Sequence, residues 1–256
     1  MKIIKKIQKY RDEAYLGRVL TYHPVHVKVA KSTESEILKR PYRFEILNTI
    51  LDFLNNENAN YLEIGVRNPD ENYNKILAKN KCSVDPGIEF KKNPVDFKVT
   101  SDEFFDGLRE GKYLTKEVKF DVIFIDGLHT AEQVKRDIDN ALQFLSEDGF
   151  VVLHDCNPPT EYHAREDYRY DMSPAKMYWN GTTWKAFVDF RKRDDYYSCC
   201  IDADWGIGVI HKKIKLGSSN NIENSFYEYK IFEDKRKESL NILSYSEFKE
   251  ILDASK

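Results

Sequence analysis

Short apolar runs recur along the middle of the chain, and their lengths predict an α/β protein. Each run is rich in β-branched residues and is bounded by polar or glycine-containing segments, which is typical of buried strands in a parallel sheet covered on both faces. The predicted strands span residues 60–65, 81–85, 95–99, 119–125, 149–154, 196–201 and 207–212.

A helix is predicted between the strands at 119–125 and 149–154. Thr130-Ala131-Glu132-Gln133 has the sequence of a capping box, and apolar residues then recur at helical spacing until Gly149. This helix is a crossover, so we expect the two strands to be parallel neighbours.

The last two predicted strands, 196–201 and 207–212, are separated only by Asp202 to Gly206. So short a connection excludes a parallel crossover, and the strands must pair antiparallel or not at all. The pattern therefore predicts a Rossmann-like α/β fold with a mostly parallel seven-stranded sheet that ends in an antiparallel hairpin, with helices on both faces.

The segments that flank the sheet pattern predict additions to one domain. Residues 1–58 contain one clear amphipathic helix after Pro41 and are expected to form a helical cap or a dimerisation segment. Residues 59–213 would form the cofactor-binding domain. Residues 214–256 would form a C-terminal extension that closes on a helix capped by Ser244 and Glu247.

Composition and charge narrow the class of protein. The net charge is −3 with both signs interspersed, which argues against a nucleic-acid partner or a membrane surface. The four cysteines form neither a CxxC pair nor a dense disulfide framework, so a reducing cytoplasm is the simpler location. No apolar run approaches the roughly 18 residues of a membrane span.

The first predicted strand ends at a carboxylate and a glycine, in Tyr61-Leu62-Glu63-Ile64-Gly65-Val66. A buried strand that breaks at glycine and runs into a helix makes a crevice for a nucleotide cofactor. Asn68-Pro69-Asp70-Glu71 predicts that helix start, whose N–H groups would face a ligand carboxylate while Glu63 takes an ammonium group. The methionine part of S-adenosylmethionine carries both groups. The alternative is that Glu63 only ties down the loop.

Further acidic residues follow the next strands. Asp85 lies about twenty residues beyond Glu63, where a carboxylate can accept hydrogen bonds from both ribose hydroxyls. Dinucleotide enzymes use an acid at the same spacing, which leaves a NAD-type oxidoreductase as an alternative, but this loop lacks the GxGxxG glycines that admit a pyrophosphate. Ser101 and Asp102 could contact adenine, although Asp102 could equally be a helix cap.

Four titratable residues, Asp126, His129, His154 and Asp155, lie at or just beyond the ends of the strands at 119–125 and 149–154. Because these strands are predicted neighbours, the four side chains should converge beside the cofactor's methyl group, and Asp126 could also contact the cofactor. A histidine or carboxylate there can remove the proton of an acceptor hydroxyl as it attacks the methyl carbon, with His129 as the first choice. Both histidines could instead be structural. Asp126 and Asp155 also offer oxygen ligands for a divalent ion such as Mg²⁺.

The long loop 156–180 is rich in aromatic, acidic and arginine side chains. Such side chains suit a polyhydroxylated acceptor, such as a carbohydrate or a nucleotide-linked sugar, and long loops above an α/β crevice are commonly functional. A solvated lid is the alternative.

Several segments together resemble a family of bacterial class I S-adenosylmethionine-dependent methyltransferases: YLEIGVRNPDEN, CSVDPG, FDVIFIDGLHTAEQVKRDI, GFVVLHDCNPP and YWNGTTWKAF. The resemblance covers about residues 60–212 and implies O-methylation of a sugar or of a surface-polysaccharide (capsule) precursor. It also implies that Glu63, Gly65 and Asp85 bind cofactor, and that Asp126, His129 and Asp155 serve as base or metal ligands.

The sequence departs from the general pattern of that class in its first loop, which has one glycine where two or three are usual, with Arg67, Asn68 and Pro69 in that stretch.

An amine or a phosphorus-linked oxygen is compatible with the same site as acceptor. A non-catalytic cofactor-binding protein is a further alternative, and a homodimer is an additional expectation.

Overall fold

A mostly parallel sheet of seven strands forms the centre of the computed structural model, which describes residues 2–55, 57–90, 92–168 and 173–256. The strands are β1 (Asn60–Ile64), β2 (Asn80–Val84), β3 (Phe120–Ile125), β4 (Leu145–Leu153), β5 (Tyr197–Ile201), β6 (Ile207–His211) and β7 (Ile242–Leu243). Their order is β2-β1-β3-β4-β6-β5-β7. Strands β1 to β4 pair in parallel, whereas β6 is antiparallel to both β4 and β5. The predicted fold class is confirmed.

Helices cover both faces of this sheet. They are α1 (Lys2–Tyr22), α2 (Pro24–Ile37), α3 (Arg43–Leu54), α4 (Ser101–Glu110), α5 (Ala131–Phe144), α6 (Thr183–Phe190), α7 (Tyr229–Asp234), α8 (Arg236–Leu240) and α9 (Tyr245–Asp253). None of the described helices is long and apolar enough to cross a membrane.

Side chains alternate between the two faces of the sheet along each strand, and this creates two apolar layers. Leu62 and Ile64 of β1 pack with α4, α5 and α6 on one face, and Tyr61 packs with α3 and α9 on the other. Successive strand residues point to opposite faces, so one short apolar strand serves both layers. Full burial of a large apolar side chain such as Phe248 contributes roughly 1.5–3 kcal/mol.

The predicted strand at 95–99 is wrong. Only a single parallel bridge joins Val84 and Phe97. The Asp96 carboxylate accepts hydrogen bonds from both the backbone N–H and the hydroxyl of Ser83, at 2.9 and 2.7 Å, where a ladder partner would otherwise stand. The seventh strand is instead β7, which pairs with β5.

The helix predicted to begin at Asn68-Pro69-Asp70-Glu71 is also wrong. The chain turns there, with Asn68 Oδ1 accepting from the Asp70 N–H at 3.2 Å, and a single 3-10 turn follows at Tyr73–Lys75. Asn72 is drawn into the core by Glu63, which directs this segment inward. The loop therefore offers no α-helical N-terminus to a ligand.

The crossover helix α5 is confirmed, but its predicted capping box is absent. Thr130 makes no side-chain cap hydrogen bond, and the Ala131 N–H donates instead to Thr182 Oγ1 at 2.7 Å. A residue far away in sequence thus caps α5. By contrast, Ser244 and Glu247 form the capping box predicted for α9.

The first 58 residues contain three helices where the sequence indicated one. The predicted one is α3, while α1 has no buried residue and packs only lightly on α2. The boundaries at residues 58 and 213 stay predictions.

Candidate active site

Gly65 lets the first loop pass directly against the end of β3. Its φ of +92° is a left-handed conformation that glycine adopts readily. A Cβ at this position would lie 2.2 Å from the carbonyl oxygen of Asp126. The Asp126 N–H donates to Ile64 O at 2.8 Å, and the Gly65 N–H donates to Val84 O at 2.8 Å. The carboxyl ends of β1, β2 and β3 therefore meet closely.

Glu63 lies below this loop and is only 3% exposed. Its Oε2 accepts hydrogen bonds from the Tyr61 hydroxyl at 2.6 Å and from Asn72 Nδ2 at 2.8 Å. Burial raises the pKa of Glu63 to about 7, against the opposing effect of these two donors. The carboxylate thus ties the loop to β1, and a role in holding a ligand's ammonium group stays a prediction.

Asp85 directly follows β2 and is half-buried. Its Oδ1 accepts from the Gly87 N–H at 2.6 Å, which orients the carboxylate. Burial raises its pKa above the ordinary value.

Ser101 and Asp102 lie in the first turn of α4, where they join α4 to α5. The Gln133 side chain donates to Ser101 Oγ at 3.1 Å and to Asp102 Oδ1 at 3.2 Å. The helix cap is Thr100, in a capping box with Glu103, so the alternative role of Asp102 as the cap is wrong.

The structure brings together the four residues at the ends of β3 and β4. His154 Nδ1 lies 3.1 Å from both Asp126 Oδ1 and Asp155 Oδ2. His129 Nε2 lies 3.3 Å from Asp126 Oδ1, and His129 Nδ1 lies 3.1 Å from Asp155 Oδ2. Two imidazoles therefore share two carboxylates.

This arrangement shifts the pKa of Asp126, His129 and His154. Burial alone would lower the pKa of His129 and His154, but Asp155 and Asp126 outweigh it and raise both. Burial alone would raise the pKa of Asp126, but His154 and Arg43 hold it well below the usual range. The site therefore favours a charged Asp126 carboxylate.

Sequence reasoning missed two residues of the cluster, Arg43 and Asp204. Arg43 begins α3, and its Nη1–H donates to His154 Nε2 at 3.0 Å, while its Nε lies 3.8 Å from Asp126 Oδ2. Asp204 lies in the turn between β5 and β6, where its Oδ1 is 3.5 Å from His154 Nε2. Asp204 Oδ2 also accepts from the Arg43 backbone N–H at 2.8 Å. The only sequence signal was an acid in the turn between the last two strands.

The end of loop 156–180 closes against His129. The Trp179 ring stacks on the imidazole with centroids 5.1 Å apart, and its carbonyl oxygen lies 3.3 Å from His129 Nδ1. Asn180 Nδ2 donates to Asp155 Oδ1 at 2.6 Å. Gly181 is needed beside them, because a Cβ there would lie 2.1 Å from His129 O.

Arg165 has a structural role in the same loop. Its guanidinium donates to the backbone carbonyls of Tyr162, Tyr178 and Lys176, at 2.6, 2.9 and 2.8 Å. It therefore fixes the loop rather than presenting a free cation to an acceptor. Arg169, Tyr170 and Asp171 lie outside the described residues.

The donor atoms of Asp126, His154 and Asp155 fit a divalent cation in type and spacing. One ligand atom from each lies within 4.8 Å of the others. Carboxylate oxygens and an imidazole nitrogen are common ligands of divalent metals. In the described structure each of these donors already contacts another side chain of the cluster.

Part of the chain matches a known protein family. Residues 49–156 match the model of a protein family described as a methyltransferase domain. A search of curated proteins finds no match.

Among solved structures, the fold is similar to an O-methyltransferase from Bacillus cereus in complex with SAH, at 13% identity and a TM-score of 0.41, with 78% of this chain and 97% of that chain covered. It is also similar to the O-methyltransferase TomG from Streptomyces achromogenes in complex with SAM, at 11% identity and a TM-score of 0.41, with 79% and 96% covered.

The region that matches a methyltransferase domain, residues 49–156, contains β1 to β4 and all four residues of the cluster at the ends of β3 and β4.

Proposed function

We propose that the chain transfers the methyl group of S-adenosylmethionine to a hydroxyl oxygen, with His129 as the general base. The observation that carries this proposal is the position of His129, a partly exposed imidazole held between Asp126 and Asp155 where the ends of β3 and β4 meet. Ligands of open α/β sheets bind outside the carboxyl ends of the strands, which is this edge.

The contacts of His129 support one tautomer for its neutral form. The Trp179 carbonyl can only accept a hydrogen bond, and the Asp155 carboxylate is an acceptor as well, so the ring proton belongs on Nδ1. The lone pair then lies on Nε2, with Asp126 Oδ1 at 3.3 Å. A proton taken up at Nε2 would be stabilised by Asp126.

The chemical step follows from this arrangement. The acceptor oxygen attacks the methyl carbon, the carbon–sulfur bond breaks, and its electron pair goes to sulfur to give S-adenosylhomocysteine. The hydroxyl proton passes to His129 Nε2. Positioning and proton removal are the contributions of the protein. Asp155 orients His129, and His154 holds Asp126 and Asp155 in place from the other side.

The cofactor would lie along the ends of β1, β2 and β3. We assign its contacts to Gly65, where the loop passes closest to β3, to Asp85 for the ribose hydroxyls, and to Asp126 near the methyl group. Glu63 would act on the amino-acid end through the loop that it anchors. Ser101 and Asp102 would border the adenine.

We also propose a divalent ion, such as Mg²⁺, held by Asp126 and Asp155, with His154 as the third donor. When bound, such an ion would lower the pKa of the acceptor hydroxyl as a Lewis acid.

The proposed acceptor is a sugar or a surface-polysaccharide precursor. The Trp179 ring stacks on His129, and the Tyr168 ring lies against Trp179 with ring centroids 5.4 Å apart. Aromatic rings with nearby polar groups suit a polyhydroxylated small molecule. We place the enzyme in the cytoplasm, where its four free cysteines would stay reduced, and we assign the exposed α1 to a homodimer contact.

The test is a transfer assay with labelled S-adenosylmethionine and a panel of free sugars, nucleotide-linked sugars, catechols and amines. Label transferred to a carbohydrate oxygen supports the proposal. Transfer only to nitrogen would contradict oxygen as the acceptor atom, and transfer only to catechols would contradict the sugar.

A further inference from the structure

We propose that Arg43 competes with a divalent ion for His154, and that Asp204 supports the ion-bound state. This inference rests on the metal site proposed above and concerns two residues outside its donor set. Arg43 reaches the cluster from the start of α3, and Asp204 reaches it from the turn between β5 and β6.

The contact with Arg43 sets the tautomer of His154. A guanidinium has only donors, so the Arg43 Nη1–H, 3.0 Å from His154 Nε2, requires a lone pair on that nitrogen. The ring proton then lies on Nδ1, between Asp126 Oδ1 and Asp155 Oδ2 at 3.1 Å each. In this state His154 presents a proton, rather than a ligand atom, to the two carboxylates.

Coordination by all three donors requires the opposite tautomer. A ligating nitrogen must offer its lone pair, so the proton of Nδ1 has to be carried by Nε2 instead. Nε2–H would then oppose the Arg43 Nη1–H, and two donors 3.0 Å apart do not form a hydrogen bond. The contact between Arg43 and His154 must therefore break.

Asp204 offers the acceptor that the ion-bound tautomer needs. Its Oδ1 lies 3.5 Å from His154 Nε2, within reach after a small movement. Metal-ligating histidines commonly donate their second N–H to a carboxylate, which orients the ring and strengthens the ligand. Asp204 Oδ2 meanwhile keeps the backbone N–H of Arg43, at 2.8 Å, so α3 stays anchored.

The positive charge of Arg43 also opposes binding of the ion. Arg43 Nε lies 3.8 Å from Asp126 Oδ2, so its positive charge stands beside a carboxylate that the ion would use. Two cations repel strongly in a site of low dielectric constant. Removal of Arg43 should therefore favour the ion, unlike removal of a residue that helps to build its site.

Calorimetric titration of the full chain with Mn²⁺ tests this inference. Arg43→Met should bind Mn²⁺ about tenfold more tightly than wild type or better, since the charge and the competing donor are both lost. Asp204→Asn should bind it about 10- to 100-fold more weakly, the usual cost of losing such a supporting carboxylate. Asparagine keeps the size of Asp204 and tolerates its φ of +40°.

Arg40→Met is the matched control, because Arg40 stacks on Tyr42 outside the cluster. Its Mn²⁺ affinity should equal that of wild type. Spin-echo spectra of Mn²⁺ bound to Arg43→Met should show coupling to a coordinated imidazole nitrogen. Arg43→Met affinity equal to or weaker than wild type, unchanged affinity in Asp204→Asn, or no coupled nitrogen would each overturn the inference.

Titration of the same samples with S-adenosylhomocysteine reports on folding and on the cofactor site. If all variants bind it but none takes up Mn²⁺, the inference fails while methyl transfer stands. If none binds it and the Mn²⁺ pattern still appears, the proposed transfer fails and the competition stands.

Discussion

Replacement of Gly65 by alanine should destabilise the protein and weaken cofactor binding together. The φ of +92° costs a residue with a Cβ about 1–3 kcal/mol. The new Cβ would also lie 2.2 Å from the carbonyl oxygen of Asp126, and forcing such a contact apart costs about 1–3 kcal/mol more. We therefore expect the free energy of unfolding to fall by about 2–6 kcal/mol.

Urea denaturation measures this loss, and calorimetry with S-adenosylhomocysteine measures the effect on binding. Gly127→Ala is the matched control, because a Cβ there meets its nearest atom, on Ile64, at 3.5 Å and Gly127 has no positive φ. If Gly65→Ala unfolds at the same urea concentration as Gly127→Ala, the close approach of the first loop to β3 is refuted.

Further predictions concern the base, the buried acid and the helix cap. His129→Ala should lower turnover by about 10²- to 10⁴-fold and leave S-adenosylhomocysteine affinity unchanged; unchanged turnover would exclude it as the base. Because the pKa of His129 is raised, wild-type turnover should rise with pH through a value above its ordinary 6.5, and a flat rate profile there would contradict this. Burial raises the pKa of Glu63 in the folded protein to about 7, above its ordinary value of 4.5, so ionisation of Glu63 reduces stability as pH rises between these values. The free energy of unfolding of Glu63→Gln should therefore exceed that of wild type by up to about 3 kcal/mol above pH 7 and by little below pH 4.5. Denaturation at several pH values tests this. Thr182→Val should lower the free energy of unfolding by about 1 kcal/mol, because the hydrogen bond that caps α5 is lost. Thr183→Val should not lower it, because the buried Thr183 hydroxyl has no hydrogen-bond partner. Equal losses in the two variants would refute the cap.

The sheet could be predicted because its strands are buried apolar runs. β1, β3, β5 and β6 lie within a residue or so of their predicted bounds, and the short connection after Ile201 correctly required an antiparallel pair. The convergence of side chains after β3 and β4 followed from the same reasoning, since the ends of parallel neighbours meet at one edge of the sheet.

Other features depend on contacts between residues distant in sequence. Asn68-Pro69-Asp70-Glu71 has the composition of a helix start, but the buried pairing of Asn72 with Glu63 overrides it. Thr130 stands at the position of a helix cap, but Thr182 Oγ1 accepts the hydrogen bond from the first N–H of α5.

Arg43 escaped prediction because it enters the site from a helix that precedes the sheet. No local sequence pattern predicts that the Arg43 guanidinium contacts His154 at the end of β4. Asp204 escaped for a similar reason, since an acid in a tight turn is ordinarily a surface residue.

Calorimetric titration of the purified chain with S-adenosylhomocysteine is the decisive measurement of cofactor binding. We expect saturable binding of one ligand per chain, weakened about tenfold or more by Asp85→Asn, which reduces a charged hydrogen-bond acceptor to a neutral one. The exposed Asp106→Asn on α4 should bind as wild type does. Absence of binding, or equal affinity in Asp85→Asn and Asp106→Asn, would contradict a cofactor held at the carboxyl ends of β1, β2 and β3.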